Sequence, residues 1–160
     1  MKRRLSVLLS LLLALLLLAG TAFAAKTQKK EREALDPYGY YYDLEHVVLY
    51  LEEYGELPYN YITKADAREL GWTGGSVEKY LKDAAIGGDR FGNYERQLPV
   101  KKGRTYTECD LYTNGGKSRG AYRLIFSDDG LYFYTEDHYE TFAQVTVDQD
   151  GEVEVNWKWK

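Results

Sequence analysis

A handful of side chains in this sequence have the types and spacing needed for proton-transfer and anion chemistry. Glu108 and Asp110 flank Cys109 in Tyr106-Thr107-Glu108-Cys109-Asp110, a stretch with strand character. Period-two alternation puts both carboxylates on one face and Cys109 on the other. Two carboxylates on a strand face are ordinarily its wet side, and they acquire chemistry when cations face them. Arg119 and Arg123 follow downstream, behind a Gly-rich loop that also carries Lys117. A floor of Glu108 with Arg119 and Arg123 around it is a compact anion site. His138 lies in Thr135-Glu136-Asp137-His138-Tyr139, between two expected strands. A protonated imidazole there suits a general acid; a plain surface histidine or a weak metal ligand are the other readings. Lys64 falls in the first turn of a short helical pattern, where the helix dipole disfavours a cation. It is either a tolerated surface lysine or a charge held there for a purpose. Cys109 is most simply a small core residue rather than a reactive thiol.

These residues need elements to position them. Leu44, Val47, Val48, Leu51 and Tyr54 recur at helical spacing, with Asp43 as N-cap and Gly55 just past the end. Thr63 as N-cap, Asp66 at the third helical position and Gly71 after the end define a second, short helix. Ser76 to Asp83 predicts a third. From Ile86 the pattern changes to alternating aromatic and β-branched residues, which predicts strands near 86–91, 104–111, 121–127, 131–135 and 141–147. Asp129-Gly130 and Asp150-Gly151 are hairpin signals. Val153, Val155, Trp157 and Trp159 then alternate with polar residues, predicting a further strand over 152–159 that covers a sheet edge. Helices followed by a strand meander predict an α+β domain, helices packed on an antiparallel sheet.

Composition narrows the chemistry. The 160 residues allow one domain, and a single Cys with two His excludes a disulfide framework, a multi-Cys zinc site and a His-rich cage. No metal or other cofactor is therefore expected. Sixteen Tyr and 29% charged residues argue against disorder and against a membrane-embedded body. Residues 1–24 read as a secretory signal peptide: Lys2, Arg3 and Arg4, then an apolar run from Leu5 to Ala19, then Ala22-Phe23-Ala24. That run is shorter than the roughly 20 residues of a spanning helix, so cleavage and a secreted, extracellular product without membrane attachment are expected. Residues 25–37 read as a flexible linker or pro-segment and 38–160 as the domain. Removing 1–24 takes three of the 21 basic residues and none of the 25 acidic ones, leaving a balance of −7. Such a chain is not steered as a whole toward a polyanion, and any nucleic-acid function needs a local basic cluster.

Several ordered motifs between Tyr42 and Val145 carry a resemblance. Leu57-Pro58-Tyr59-Asn60-Tyr61-Ile62-Thr63-Lys64, Leu70-Gly71-Trp72, Ile86-Gly87-Gly88-Asp89, Phe91-Gly92-Asn93-Tyr94-Glu95, Gly103-Arg104-Thr105-Tyr106-Thr107-Glu108, the Arg119/Arg123 spacing and Asp137-His138-Tyr139-Glu140-Thr141-Phe142 follow in order. Together they resemble the secreted guanyl-preferring bacterial ribonucleases of the barnase family. The resemblance implies the microbial ribonuclease fold and a metal-independent endoribonuclease. Such an enzyme cuts single-stranded RNA after guanine by transphosphorylation to a 2′,3′-cyclic phosphate, followed by hydrolysis. It implies Glu108 as general base, His138 as general acid, and Arg123, Arg119 and Lys64 around the scissile phosphate. It implies Glu95 and loop amides near Asn93 as guanine readers, with Phe91, Tyr139 and Asp89 shaping the nucleotide surface. It also implies a monomer and a barstar-like intracellular inhibitor. Clustered cations repel, so loss of Arg123 is expected to leave folding intact or improved. The chain departs from the family in a shorter Thr73–Ala85 stretch without Pro, in Tyr94 for a usual Arg, and in Ser118 for a usual aromatic. A catalytically weak RNA- or inhibitor-binding module, and the same nuclease deployed as an antibacterial toxin, are the alternative readings.

Overall fold

The computed structural model describes residues 34–159; the leader expected at 1–24 lies outside them. Helix α1 (Leu44–Tyr54) starts where Asp43 accepts from the His46 N–H and stops where Gly55 turns left-handed at φ 74°. Its apolar stripe, with Val47 and Val48 fully buried, lies on one face of the sheet against Cys109, Leu124, Tyr134 and Val145. Residues 34–37, expected in the linker, are fastened to this helix: the Tyr54 and Tyr50 hydroxyls donate to Leu35 O and Pro37 O, both at 2.7 Å.

Seven strands follow one another in both sequence and space: β1 (Tyr61–Ile62), β2 (Ala85–Phe91), β3 (Tyr106–Asp110), β4 (Arg123–Ser127), β5 (Tyr132–Thr135), β6 (Ala143–Val147) and β7 (Val153–Asn156). All pairings are antiparallel except β1 with β2. The two-residue β1 was not expected, since two residues show no periodicity; it is fixed by its partner rather than by its own pattern. Helix α2 (Lys64–Glu69) opens with a capping box in which Thr63 and Asp66 satisfy each other's N–H groups. The third helix expected over 76–83 shrinks to one 3₁₀ turn, Val77–Lys79.

A bulge sets the aim of β2. Gly87 pairs with Cys109 and Asp89 with Glu108, so Gly88 is skipped, at φ 92°. A Cβ on Gly87 would lie 2.6 Å from both Cys109 and Tyr61, so this close approach requires glycine. The skipped residue brings Asp89 level with Glu108.

The second face of the sheet carries Tyr106, Ile125 and Phe133, covered by Leu98, Phe142, Tyr139 and Trp159. Strict alternation predicts Trp157 and Trp159 on one face. The structure separates them, because the Lys158 N–H donates to Asn156 Oδ1 (2.9 Å) and turns the chain. Trp157 meets Tyr134 on the helix side, whereas Trp159 meets Phe133 on the other. The Trp159 indole N–H donates to Phe142 O at 2.7 Å. Truncation after Val147 is expected to lower stability by about 2 kcal/mol or more, since even a half-buried Trp is worth a good part of the 3–5 of a core one. An unchanged melting temperature of the truncated chain would separate β7 from the fold.

Candidate active site

Sheet register assembles the site. Asp110 of β3 pairs with Arg123 of β4, which pairs with Thr135 of β5. The neighbouring row holds Asp89, Glu108 and Ile125. Carboxylates, arginine and the loop after β5 therefore share one end of one face.

Glu108 is 7% exposed. Its Oε1 accepts from the Lys64 ammonium and its Oε2 from the Tyr139 hydroxyl. Burial, then the hydrogen bond to Glu108, pushes the Tyr139 phenol well above its ordinary value, so it stays a donor. Lys64 reaches Glu108 from the first position of α2, and its backbone N–H donates to Asp89 Oδ2 at 2.9 Å. The helix start is thus filled by Asp89 and the capping box, and Lys64 brings an ammonium rather than an open helix end.

The arginines expected around Glu108 are held in place by Asp110, two residues along the same face. Arg119 makes a two-pronged pair with it, Nε at 2.7 Å and one terminal nitrogen at 2.8 Å, and lies over the Trp72 ring at 5.8 Å. Arg123 Nε is 2.9 Å from Asp110 Oδ1, an ion pair without hydrogen-bond alignment. Its terminal nitrogens donate to Arg119 O, Tyr122 O and Gly120 O at 3.1, 2.7 and 3.0 Å. Burial lifts the Asp110 carboxyl, while the same pair holds Arg119 above its ordinary value. With two guanidiniums on one carboxylate we take Asp110 as ionised. Arg123 is 1% exposed, so the expectation that its loss would be neutral or favourable for folding is reversed. Asp110 is the hub that the sequence reading left without a role, although its place two residues from Glu108 with two arginines downstream was a visible signal.

His138 is exposed at φ 58°, followed by Tyr139 at φ 78°. Two successive left-handed non-glycine residues are strained and persist only where the surroundings over-determine them. Here the His138 N–H donates to Ala121 O (3.2 Å), and Asp137 gathers the Thr141 N–H and hydroxyl and the Thr135 hydroxyl at 2.9, 2.6 and 2.8 Å. The imidazole lies 4.9 Å from the Tyr139 ring, and that ring's hydroxyl reaches Glu108. Burial opposes the Asp137 charge, but the Thr141 and Thr135 bonds outweigh it and hold the carboxyl at about 2. Its folded value lies below the unfolded one of roughly 3.9, so its stabilisation is present above roughly pH 4 and fades as pH falls toward 2. Asp137→Asn is expected to lower the melting temperature at neutral pH by a few degrees, about 1 kcal/mol after solvent screening. Melts from pH 6 to 2 should show the two proteins converging; a constant gap would remove Asp137 from the acid limb.

Asn93, expected among the readers, uses its side chain inside the loop: Nδ2 donates to Leu98 O and Oδ1 accepts from the Leu98 N–H, at 2.9 and 3.0 Å. This staple leaves Glu95 exposed, with no hydrogen bond or ion pair among the described residues. Phe91 lies against Tyr139, ring centres 5.4 Å apart at 29°, closing the floor between the loop and β3. Cys109 is buried under α1, and burial holds its thiol well above its ordinary value, so it stays a core residue. Among the described residues no three His, Cys, Asp or Glu converge as metal ligands.

The ribonuclease family model matches residues 46–146. The chain is 46% identical over 99 residues to a ribonuclease of Heyndrickxia coagulans, covering 60% of this chain and 89% of that protein. To a ribonuclease of Bacillus intermedius it is 44% identical over 99 residues, 60% of each. To the guanyl-specific ribonuclease St of Saccharopolyspora erythraea it is 44% identical over 82 residues, 51% of this chain and 76% of that one.

Proposed function

The chain belongs to the ribonuclease family, and from that premise we propose that it is a secreted, metal-independent endoribonuclease. It cuts single-stranded RNA after guanine. The observation that carries this reading is Tyr139, which joins a buried carboxylate on one side to an exposed imidazole on the other. In-line attack by a neighbouring hydroxyl needs a base and an acid on opposite sides of the phosphorus. Glu108 takes the proton of the ribose 2′-OH; His138 gives a proton to the leaving 5′-oxygen. The product is a 2′,3′-cyclic phosphate, later hydrolysed with the two roles reversed. Lys64 and Arg119 meet the phosphate and its developing charge, and Arg123 backs them through Asp110. Only RNA supplies the 2′-OH, so DNA is inert.

Glu95, free of internal partners, accepts from the two donors on the guanine Watson–Crick edge, with loop amides beside Asn93 completing the reading. The relative from Saccharopolyspora erythraea, guanyl-specific by name, supports this preference. The sequence pattern at 1–24 supports export, and a monomer guarded in the producing cell by a barstar-like inhibitor fits the same reading. The test is cleavage of GpA against ApA and CpA by the mature chain with EDTA present. GpA should be cut to the cyclic phosphate with undiminished rate, and Glu95→Gln should erode the preference, since an amide cannot accept from both donors. A strict requirement for added metal, or equal rates on the three dinucleotides, would overturn the reading.

A further inference from the structure

Phe91 and Tyr106 pair at the end of β2 and β3 that lies away from Asp110. Beside them a depression of about 150 Å³ carries Arg90, Arg96, Lys101 and Arg104 in its wall. Four cations around one hollow stand out on a chain of formal charge −4. Lys101 and Arg104 share a single carboxylate, Asp129, at 2.9 and 2.7 Å, which leaves that group positive. Arg90 and Arg96 are exposed, and neither guanidinium makes a hydrogen bond or ion pair among the described residues. Arg96 stands at φ 53°, where a glycine is at ease and an arginine is not. Its N–H donates to Asn93 O at 3.0 Å, so the stapled loop fixes the backbone from which this guanidinium projects.

We propose that this hollow is a second phosphate subsite, taking the phosphodiester on the 5′ side of the guanosine. The inference rests on the guanine reading above. The volume is well below the roughly 300–1,000 Å³ of sites for whole small molecules, so it suits a phosphate and not a base. Along β3, Tyr106 is two residues from Glu108, about 7 Å. The scissile phosphate is 3′ to the guanosine and the loop after Phe91 reads its base. The next anion of the strand beyond that loop is therefore the 5′ phosphate. An acidic chain has little long-range attraction for RNA, and a local cationic hollow supplies it where the strand passes.

The test compares ApGpA with the same trinucleotide carrying a neutral methylphosphonate between A and G, so that only the charge of the 5′ linkage differs. The wild type is expected to cleave the charged substrate with about tenfold higher kcat/KM, the worth of one charge-assisted phosphate contact. The double variant Arg90→Gln/Arg96→Gly should bring the two substrates to within about twofold. Glycine at 96 suits the left-handed backbone, and a melting curve checks that the fold is retained. Equal rates in the wild type, or discrimination that survives in the double variant, would remove the subsite. Loss of affinity for an acidic inhibitor protein with phosphate discrimination unchanged would instead assign the hollow to protein docking and overturn the proposal. Failure to cut either substrate after G is a different result, and sinks the guanine reading itself.

Discussion

Transphosphorylation of GpA should follow a bell-shaped pH dependence, and each limb should disappear with one substitution. Glu108 must be ionised to accept the 2′-OH proton, so the acid limb reports its protonation; His138 must be protonated to donate, so the basic limb reports its proton loss. Glu108→Gln should abolish the acid limb and His138→Gln the basic one. Each should cost roughly 10² to 10⁴ in rate, the usual worth of one positioned proton-transfer group. The two replacements differ structurally. His138 is exposed and its side chain makes no hydrogen bond or ion pair among the described residues, so His138→Gln should melt with the wild type. Glu108 is nearly buried between Lys64 and Tyr139, so its amide leaves an ammonium without its counter-charge and should soften the fold slightly. If His138→Gln forms cyclic phosphate at near wild-type rate with the basic limb unchanged, the general acid lies elsewhere.

Arg123→Ala should be the most destabilising single change in the site, by about 3–5 kcal/mol, because it breaks a buried charge pair and leaves Asp110 under-compensated. Three carbonyls lose a donor at the same time. Arg123→Lys should recover only part of the loss, since an ammonium cannot reproduce the planar fork that spans those carbonyls and Asp110. Arg119 is more exposed; among the described residues its guanidinium hydrogen-bonds to Asp110 and lies over Trp72, leaving a terminal nitrogen open to substrate. Arg119→Ala should therefore lose rate by a hundredfold or more, roughly the effect of one oxyanion donor, with a smaller drop in melting temperature. Denaturation and kcat/KM measured on both variants separate the roles. Equal stabilities would mean that Arg123 is not the structural member of the pair.

Much of this arrangement was legible because it is local. Asp43 and Gly55 bound α1 as capping chemistry requires, Thr63 and Asp66 close the second helix, and the alternation from Ile86 onward marks the strands. Glu108 and Cys109 fell on opposite faces, as period two demands. What was missed is non-local. The arginines are anchored on Asp110 because the β3–β4 register sets Asp110 beside Arg123, and register is not written in either strand alone. Likewise β1 exists only through β2, and the Asn93 side chain that spans the loop to Leu98 follows no pattern a sequence displays. The parting of Trp157 from Trp159 hangs on one Asn side chain, where a pattern of alternating residues gives no warning.

The row Asp110–Arg123–Thr135 also bears on how the enzyme comes alive during folding. Its members sit on three consecutive strands joined by hairpin connections, so a partly folded chain can hold every helix and still lack the row. A slip of one residue in β3 would send Glu108 under the helix and Cys109 into the cleft. Activity should then appear late and in a single step, tracking closure of the β3–β4–β5 meander rather than the earlier gain of helix signal. In a stopped-flow refolding experiment, cleavage of a fluorogenic guanylyl substrate should lag the far-ultraviolet signal and coincide with the burial of Tyr134 and Phe133. A chain still short of that step should carry every residue of the site and leave RNA uncut.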